Sequence, residues 1–552
     1  MTKQEKINIV QVIVAIIITC VLMFIFIGQK QGWHEDEIFS YGSSNYKYDN
    51  LLQRYSYKDT LNQVMDELVT DDNILKTAVN FVYYYFFNSE EFDAVYQEKR
   101  QYEEPEWKTP EDVEEYLTVS SDEIFSYWSV YYNQSRDVHP PLFYFLVHLV
   151  SSLALGQFSK YIIFSINLIF YIGTCIFIRK IMKLFSKDYL SGITILLYGL
   201  SMGAISIVMF QRMYAMLIFF AMCYLYLTLK ICKNNYEIDK KTKRWLTITI
   251  VLGFLTQYYF CIYVVFVAIV MMLVMLKQKN YASLKSYLWC HIKAAIIGIV
   301  LFPASIYHIF FTGRAGGSGE SYISCIKQFL EFIFYAFSVP NILGYILTVI
   351  IAILFIIKLC KAKRKDIVAV IGIPVILYFL VIAKISPYIE IRYISLVFPI
   401  IAIAIVFMLI SIVKQICKYF KKSKKIEKWA QIITVLTITI FVSVYGLICS
   451  EPKFLYKDYA QRLEIAEEYK ELKLVYVGEA EFVYIKDIEE FLIYRSTIIV
   501  NTWDMDVLED NEGLEGETEF ILNIKTYVED VDGTLERVLE YTNATDYELL
   551  LR

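Results

Sequence analysis

The ten cysteines include no CxxC pair, and nearly all of them, among them Cys20, Cys175, Cys223, Cys261 and Cys290, sit in or beside apolar runs. That excludes a disulfide framework and leaves them as small packing residues; Cys325 alone falls well inside a loop. Charge is scarce in the apolar runs, and the C-terminal hundred residues contain no glycine-rich phosphate loop. No long repeat is present. The hexapeptide DEIFSY occurs at Asp36–Tyr41 and again at Asp122–Tyr127, which chance or a local helix preference explains. Charge is also divided. From Glu451 onward there are 26 acidic and 10 basic residues, so an overall charge of -5 conceals a basic body and an acidic tail. Nucleic acid wants basic clusters on an exposed face, and this distribution argues against it.

What the chain has in abundance is hydrocarbon: 57% of its 552 residues are hydrophobic and 16% aromatic. Runs of roughly 17–25 apolar residues are long enough to cross a bilayer, and such runs recur from residue 7 to residue 449. The first, Ile7 to Gly28, follows MTKQEK and lacks a small-residue cleavage site, so it reads as a retained helix. The basic loops are Lys3–Lys6, Arg179–Lys187, Lys230–Arg244, Lys277–Lys285, Lys358–Lys365 and Lys414–Lys428. If all are cytoplasmic, an even number of crossings separates each neighbouring pair. That parity makes His139–Gly156 a helix lying at the outer surface. It also divides Trp245–Leu276 into two short crossings that turn near Thr256–Tyr259 (TQYY).

The expected spans are about 7–28, 160–179, 189–209, 213–230, 245–256, 260–276, 288–309, 340–357, 367–384, 393–413 and 429–449. The expected fold is thus a polytopic α-helical membrane protein with about eleven transmembrane helices. Residues 1–450 form a membrane domain with a large extracytoplasmic loop (29–159) carrying the surface helix 139–156. Residues 451–552 form a small extracytoplasmic domain, and the N-terminus is cytoplasmic. In that tail, Leu472–Val477, Thr497–Val500, Phe520–Ile524 and Tyr547–Leu551 read as buried strands, with helical patterns at Ile485–Tyr494 and Val528–Tyr541 between them. Such alternation suggests an α/β fold, expected to cover the active face or bind a partner.

Two polar stretches carry the candidate chemistry. WHEDEIFSY (Trp33–Tyr41) sets Glu35, Asp36 and Glu37 where the chain leaves its first span. A partly desolvated carboxylate there has a raised pKa and is a better general base, although an acidic cluster after a helix often only caps it. In RDVHPPLFY (Arg136–Tyr144), two prolines follow His139 and start a helix after them, fixing Asp137 and His139 at its entrance.

Together, an acidic DE after the first span, about a hundred residues of outer loop, and HPPL opening a helix resemble the GT-C superfamily of membrane glycosyltransferases. The resemblance is to the bacterial relatives of protein O-mannosyltransferases and of the lipid A aminoarabinose transferase. Gln211–Tyr214 (QRMY) resembles the RMY-type segment of the bacterial members. Thr256–Tyr258 (TQY) stands where many have THY, so that the usual histidine is Gln257. Arg392–Tyr393, in SPYIEIRYISLVFP, is similar to their SP…RY…P segment. The resemblance covers residues 1 to about 450 and leaves out the tail.

It implies transfer of a sugar from a polyprenyl-phosphate-linked donor to a cell-envelope acceptor (glycan, lipid or protein) outside the membrane. Asp36 would be the base and Glu37 would orient it or share its proton. Asp137, His139, Arg212, Tyr214, Gln257, Tyr258, Arg392 and Tyr393 would bind substrate, with Arg392 leading on the phosphate because guanidinium binds phosphate oxygens bidentately. Arg314, in the glycine-rich TGRAGGSGE, reads as surface or as a substrate gate. Asp36, Glu37, Asp137 and His139 would suit a divalent cation if folded together, but no compact ligand spacing commits the chain to a metal. The alternatives are a transporter or lipid flippase, and a binding protein that has kept the shell and lost activity. Polar residues gathered at the outer boundary rather than the bilayer midplane favour interfacial chemistry over translocation.

Overall fold

An apolar run in lipid has no water to satisfy its peptide groups, so it must form helix. The computed structural model describes residues 2–46, 55–56, 63–71, 73, 76–77, 79–80, 83–84, 88–99, 101–102, 105–310, 317–478, 483–502, 505, 507–510, 512–514, 519–524, 530–540 and 548–551. Among these, nine helices are long and apolar enough to cross a membrane. They are Lys3–Gln29, Lys160–Leu184, Tyr214–Lys233, Tyr259–Lys277, Tyr281–Leu301, Asn341–Lys361, Lys365–Ile385, Ile391–Tyr419 and Lys424–Cys449. The chain is a multi-pass helical membrane protein.

Three expected spans come out differently. The run at 189–209 is not one straight crossing. Asp188–Gly199 and Met202–Met209 meet at a bend of 65°, because Ser201 is an N-cap whose Oγ accepts from Ala204 N and restarts the helix. The span placed at 288–309 begins earlier, at Tyr281, and ends at Leu301. Pro303, with no N–H to continue the ladder, separates it from a short helix at Ser305–Phe310. The span placed at 245–256 is the helix Lys240–Phe254, only 15 residues long and shorter than a bilayer requires. The turn at TQYY is where parity put it: helix resumes at Tyr259. The proline-led helix runs Leu142–Leu153, six residues shorter than expected; Pro140 and Pro141 precede its first residue, and it ends three residues before Gly156.

By contact the chain divides into two compact units. One comprises Met1–Gly28, Val138–Phe143 and Ile163–Lys453; the other comprises Gln29–Asp137, Tyr144–Ile162 and Phe454–Arg552. In the second unit the C-terminal residues form a four-stranded parallel sheet of β1 (Lys473–Val477), β2 (Ser496–Val500), β3 (Ile521–Ile524) and β4 (Glu548–Leu551). The strand order is β2-β1-β3-β4. Val475, Val477, Ile498, Val500, Leu522 and Ile524 face one core with Leu508, Phe520 and Val538. On the opposite face Tyr476 donates to Asp487 (2.8 Å), which also accepts from Arg462 (2.7 Å). The α/β expectation for the tail holds strand by strand. Lys108 extends the sheet's edge by exchanging two 2.8 Å backbone hydrogen bonds with Thr497, and Trp107 packs against the core.

The two DEIFSY copies diverge. The first lies in the helix Glu35–Asn45. The second is a turn in which Phe125 takes a left-handed φ of 58°, its N–H donating to Ser152 Oγ (3.2 Å). A local helix preference does not account for it.

Candidate active site

In the unit that holds residues 29–137, the helix Glu35–Asn45 is started by its own neighbours. His34 is the N-cap: its Nδ1 accepts from Asp36 N (3.1 Å), while Glu37 reaches back to accept from His34 N (2.8 Å). A ring nitrogen that accepts carries no proton, so His34 is the Nε2–H tautomer. Its 3.7 Å approach to the Asp36 carboxylate is then not a hydrogen bond. Glu37 is fully buried and paired with Lys30 at 2.9 Å, and Lys30 also donates to the Phe454 carbonyl (2.6 Å). Burial holds the Lys30 ammonium below its usual range, with Glu37's charge pulling it back up. Glu37 is therefore the helix cap and the counter-ion of Lys30. Asp36, with 28% of its side chain exposed, is the member of the pair that solvent reaches. Asp137 is the C-cap of the helix Tyr127–Arg136 and is half-buried.

Removing one partner of a buried ion pair strands the other charge. Lys30→Met is expected to cost about 3–5 kcal/mol, read as a lowered unfolding temperature of the reconstituted protein. Lys30→Arg should retain more of that stability.

In the other unit, the QRMY segment is a break between helices. Helix ends at Met209 and resumes at Tyr214. The carbonyls exposed by that break are capped from a neighbouring helix: Asn167 Nδ2 donates to Phe210 O (2.8 Å) and Val208 O (3.3 Å). Irregular backbone at membrane depth is stable only with such partners. Asn167→Leu is expected to cost about 1–3 kcal/mol, measured by the same unfolding assay.

Around Phe210 the expected binding residues gather. Arg212 and Arg392 are both buried, at 3% and 5% exposure. The Arg392 guanidinium lies over Phe210 (5.4 Å) and Tyr393 (5.2 Å). Tyr214 stacks on Phe210 (5.8 Å) and meets Tyr393 edge-on, and Tyr259 meets Tyr393 at 5.3 Å. The Tyr378 hydroxyl fixes the Tyr393 carbonyl (2.7 Å). Arg212 donates to His139 Nε2 (3.2 Å), since guanidinium only donates. Gln257 turns back on its own chain, its Oε1 accepting from Tyr258 N (2.7 Å). Tyr258 instead meets His308 Nδ1 at 2.9 Å.

Thus Arg212, Tyr214, Arg392, Tyr393 and His139 belong to one cluster. Gln257 and Tyr258 lie on the turn just before Tyr259. Phe210, Asn167 and His308 were not singled out in sequence. A histidine inside an aromatic run was the visible signal for His308; nothing local marks Asn167. Arg314 lies outside the described residues. Among the described residues no three His, Cys, Asp or Glu side chains gather as metal ligands. Glu37, one of the residues considered for a cation, is held by Lys30 instead.

No protein-family model matches the chain. No characterised protein matches it in sequence. Among solved structures it is similar to ArnT, the lipid A aminoarabinose transferase, from Cupriavidus metallidurans bound to undecaprenyl phosphate. That match has 9% identity and a TM-score of 0.43, and it covers 96% of this chain and 89% of that one. The apo form of the same protein matches with 12% identity, a TM-score of 0.40 and 67% and 80% coverage. The oligosaccharyltransferase of Archaeoglobus fulgidus, tethered with an acceptor peptide containing the NVT sequon, matches with 11% identity and a TM-score of 0.37, covering 90% and 64%. Both proteins are members of the GT-C superfamily that the sequence motifs resemble. The likeness assigns no residue a role.

Proposed function

We propose that the chain is a membrane glycosyltransferase that moves a sugar from a polyprenyl-phosphate-linked donor to a cell-envelope acceptor on the extracytoplasmic side. The observation that carries this reading is the pair of buried guanidiniums, Arg212 and Arg392, gathered with tyrosines around Phe210. Charge so costly at a membrane boundary is retained for function, and its chemistry is that of a phosphate holder. The acceptor oxygen attacks the anomeric carbon, the bond from that carbon to the phosphate oxygen breaks, and the pair leaves with polyprenyl phosphate. Asp36 takes the acceptor's proton. Phosphate is a weakly basic leaving group, so no strong acid is needed; the arginines offset its charge. With the basic loops cytoplasmic, and the short helix Lys240–Phe254 crossing despite its length, the N-terminus lies inside and the tail outside.

Undecaprenyl-phosphate sugars of differing identity, offered to the vesicle-reconstituted protein with membrane acceptors, should yield a new glycoside from at least one donor. Sugar delivered across the vesicle still attached to its lipid would instead establish the flippase alternative.

A further inference from the structure

The sheet of the C-terminal α/β region reverses its direction of growth once. From β1 the chain moves out to β2, then crosses back over β1 to β3 and on to β4. Parallel crossovers are right-handed, so connections running in opposite directions along a sheet lie on opposite faces. The packing agrees. Tyr484 and Phe491, from the β1–β2 connection, meet the Tyr476 ring on one face, with centroids at 6.3 and 5.5 Å. Leu508 and Val538, from the two later connections, pack on the other. The connections leaving β1 and β3 therefore part at the carboxyl ends of those strands. In open parallel sheets the crevice at such a point is where ligands bind.

Tyr476 and Asn523 are register partners across this point, each the last residue but one of its strand. Asn523 is fully buried, and neither its Oδ1 nor its Nδ2 has a hydrogen-bond partner among the described residues. An amide left so costs stability, on a face whose neighbouring positions are Leu474, Ile499 and Ile521, where an apolar side chain would fit. Asn501, the residue after β2, is buried at the same edge. Gly478, the residue after β1, lies between the two strands and adds no side chain. The charges on this face are already engaged: Asp487 accepts from Tyr476 (2.8 Å) and Arg462 (2.7 Å), and Arg462 also pairs with Glu490. One cation against two carboxylates leaves the face negative, which disfavours an anionic ligand.

We propose that this crevice binds an uncharged, hydroxyl-rich ligand, and that the ligand is the glycan that accepts the sugar. A carboxamide sets donor and acceptor side by side, a pattern that two adjacent sugar hydroxyls match. The second half of the proposal rests on the reading of the chain as a glycosyltransferase. It narrows the acceptor to a glycan and gives a tail with no catalytic groups of its own a place in the enzyme.

The test uses the full chain in vesicles, without donor. The probes are neutral tetrasaccharides of glucose, galactose, mannose and N-acetylglucosamine, with inorganic phosphate and a galacturonate tetrasaccharide as anionic controls. At least one neutral probe should bind in equilibrium dialysis. Asn523→Leu should weaken that binding about ten- to a hundred-fold, the scale of two lost hydrogen bonds, and should unfold no lower than wild type because leucine suits the apolar neighbours. Asn501→Ala should weaken the same probe in the same direction, and decides the matter if the leucine variant does not fold. With the bound glycan as acceptor, Asn523→Leu should raise the acceptor KM and leave the donor KM unchanged. Binding of no neutral probe, preference for the anionic controls, or equal affinity in wild type and both variants would overturn the inference. Binding that is lost in Asn523→Leu, with no glycoside formed from any donor, would keep the site and remove the transferase reading.

Discussion

Asp36→Asn is expected to lose about 10²–10⁴-fold in transfer rate, the range general-base catalysis supplies, with normal membrane insertion and an unfolding temperature close to wild type. The reasoning lies in the different situations of two adjacent carboxylates. Glu37 is buried, capped into the helix start and paired with Lys30. Glu37→Gln removes the counter-ion of a buried ammonium, and its first effect should be on stability. Asp36 is partly exposed, and the helix start is capped by His34 and Glu37, so replacing its charge with an amide of the same shape leaves that start in place. A variant pair that separates in this way, one losing turnover and the other losing stability, distinguishes a base from a cap. Rate measurements and thermal unfolding on the same preparations decide it.

The second large effect is expected at Arg392. Hydrogen bonds to charged groups are worth about 1.5–3 kcal/mol, so Arg392→Ala should weaken donor binding by about one to two orders of magnitude. Arg392→Lys should restore only part of it, because an ammonium cannot grip two phosphate oxygens at once or lie flat over Phe210 and Tyr393 as the guanidinium does. The measurement is the donor KM, with kcat recorded at saturation. A change in kcat with KM untouched would move Arg392 from holding the ground state to acting only on the transition state.

Much of the fold was legible because the forces that set it are local. Apolar runs report spans, basic loops report parity, and β-branched runs such as TIIV report strands. The turn at TQYY followed from sidedness alone. The bend at residues 200–201 was hidden, since the run from Leu190 to Met209 is uncharged throughout and one serine hydroxyl among several decides the break. Pro303 was visible and should have ended its helix at Leu301. The two DEIFSY copies mark the limit of local reading. The first becomes helix because His34 and Glu37 cap it. In the second, Glu123 accepts instead from the Ser120 hydroxyl (2.8 Å), and the same six residues form a turn.

Around Phe210, the arginines, Tyr214 and Tyr393 could be singled out in sequence because their segments carry recognisable neighbours. Asn167 could not, since it serves groups far along the chain: it caps carbonyls more than forty positions away. Lys30 likewise meets the Phe454 carbonyl from the other end of the sequence. No spacing rule joins such pairs.

The most direct measurement of the central claim is the stoichiometry of a single turnover. With a doubly labelled donor, sugar and prenyl phosphate traced separately, each prenyl phosphate set free should be matched by one sugar bound to the acceptor. Both should fall together in Asp36→Asn and Arg392→Ala. Prenyl phosphate released with free sugar and no glycoside, or lipid and sugar recovered still joined on the opposite face of the vesicle, would contradict sugar transfer by this chain.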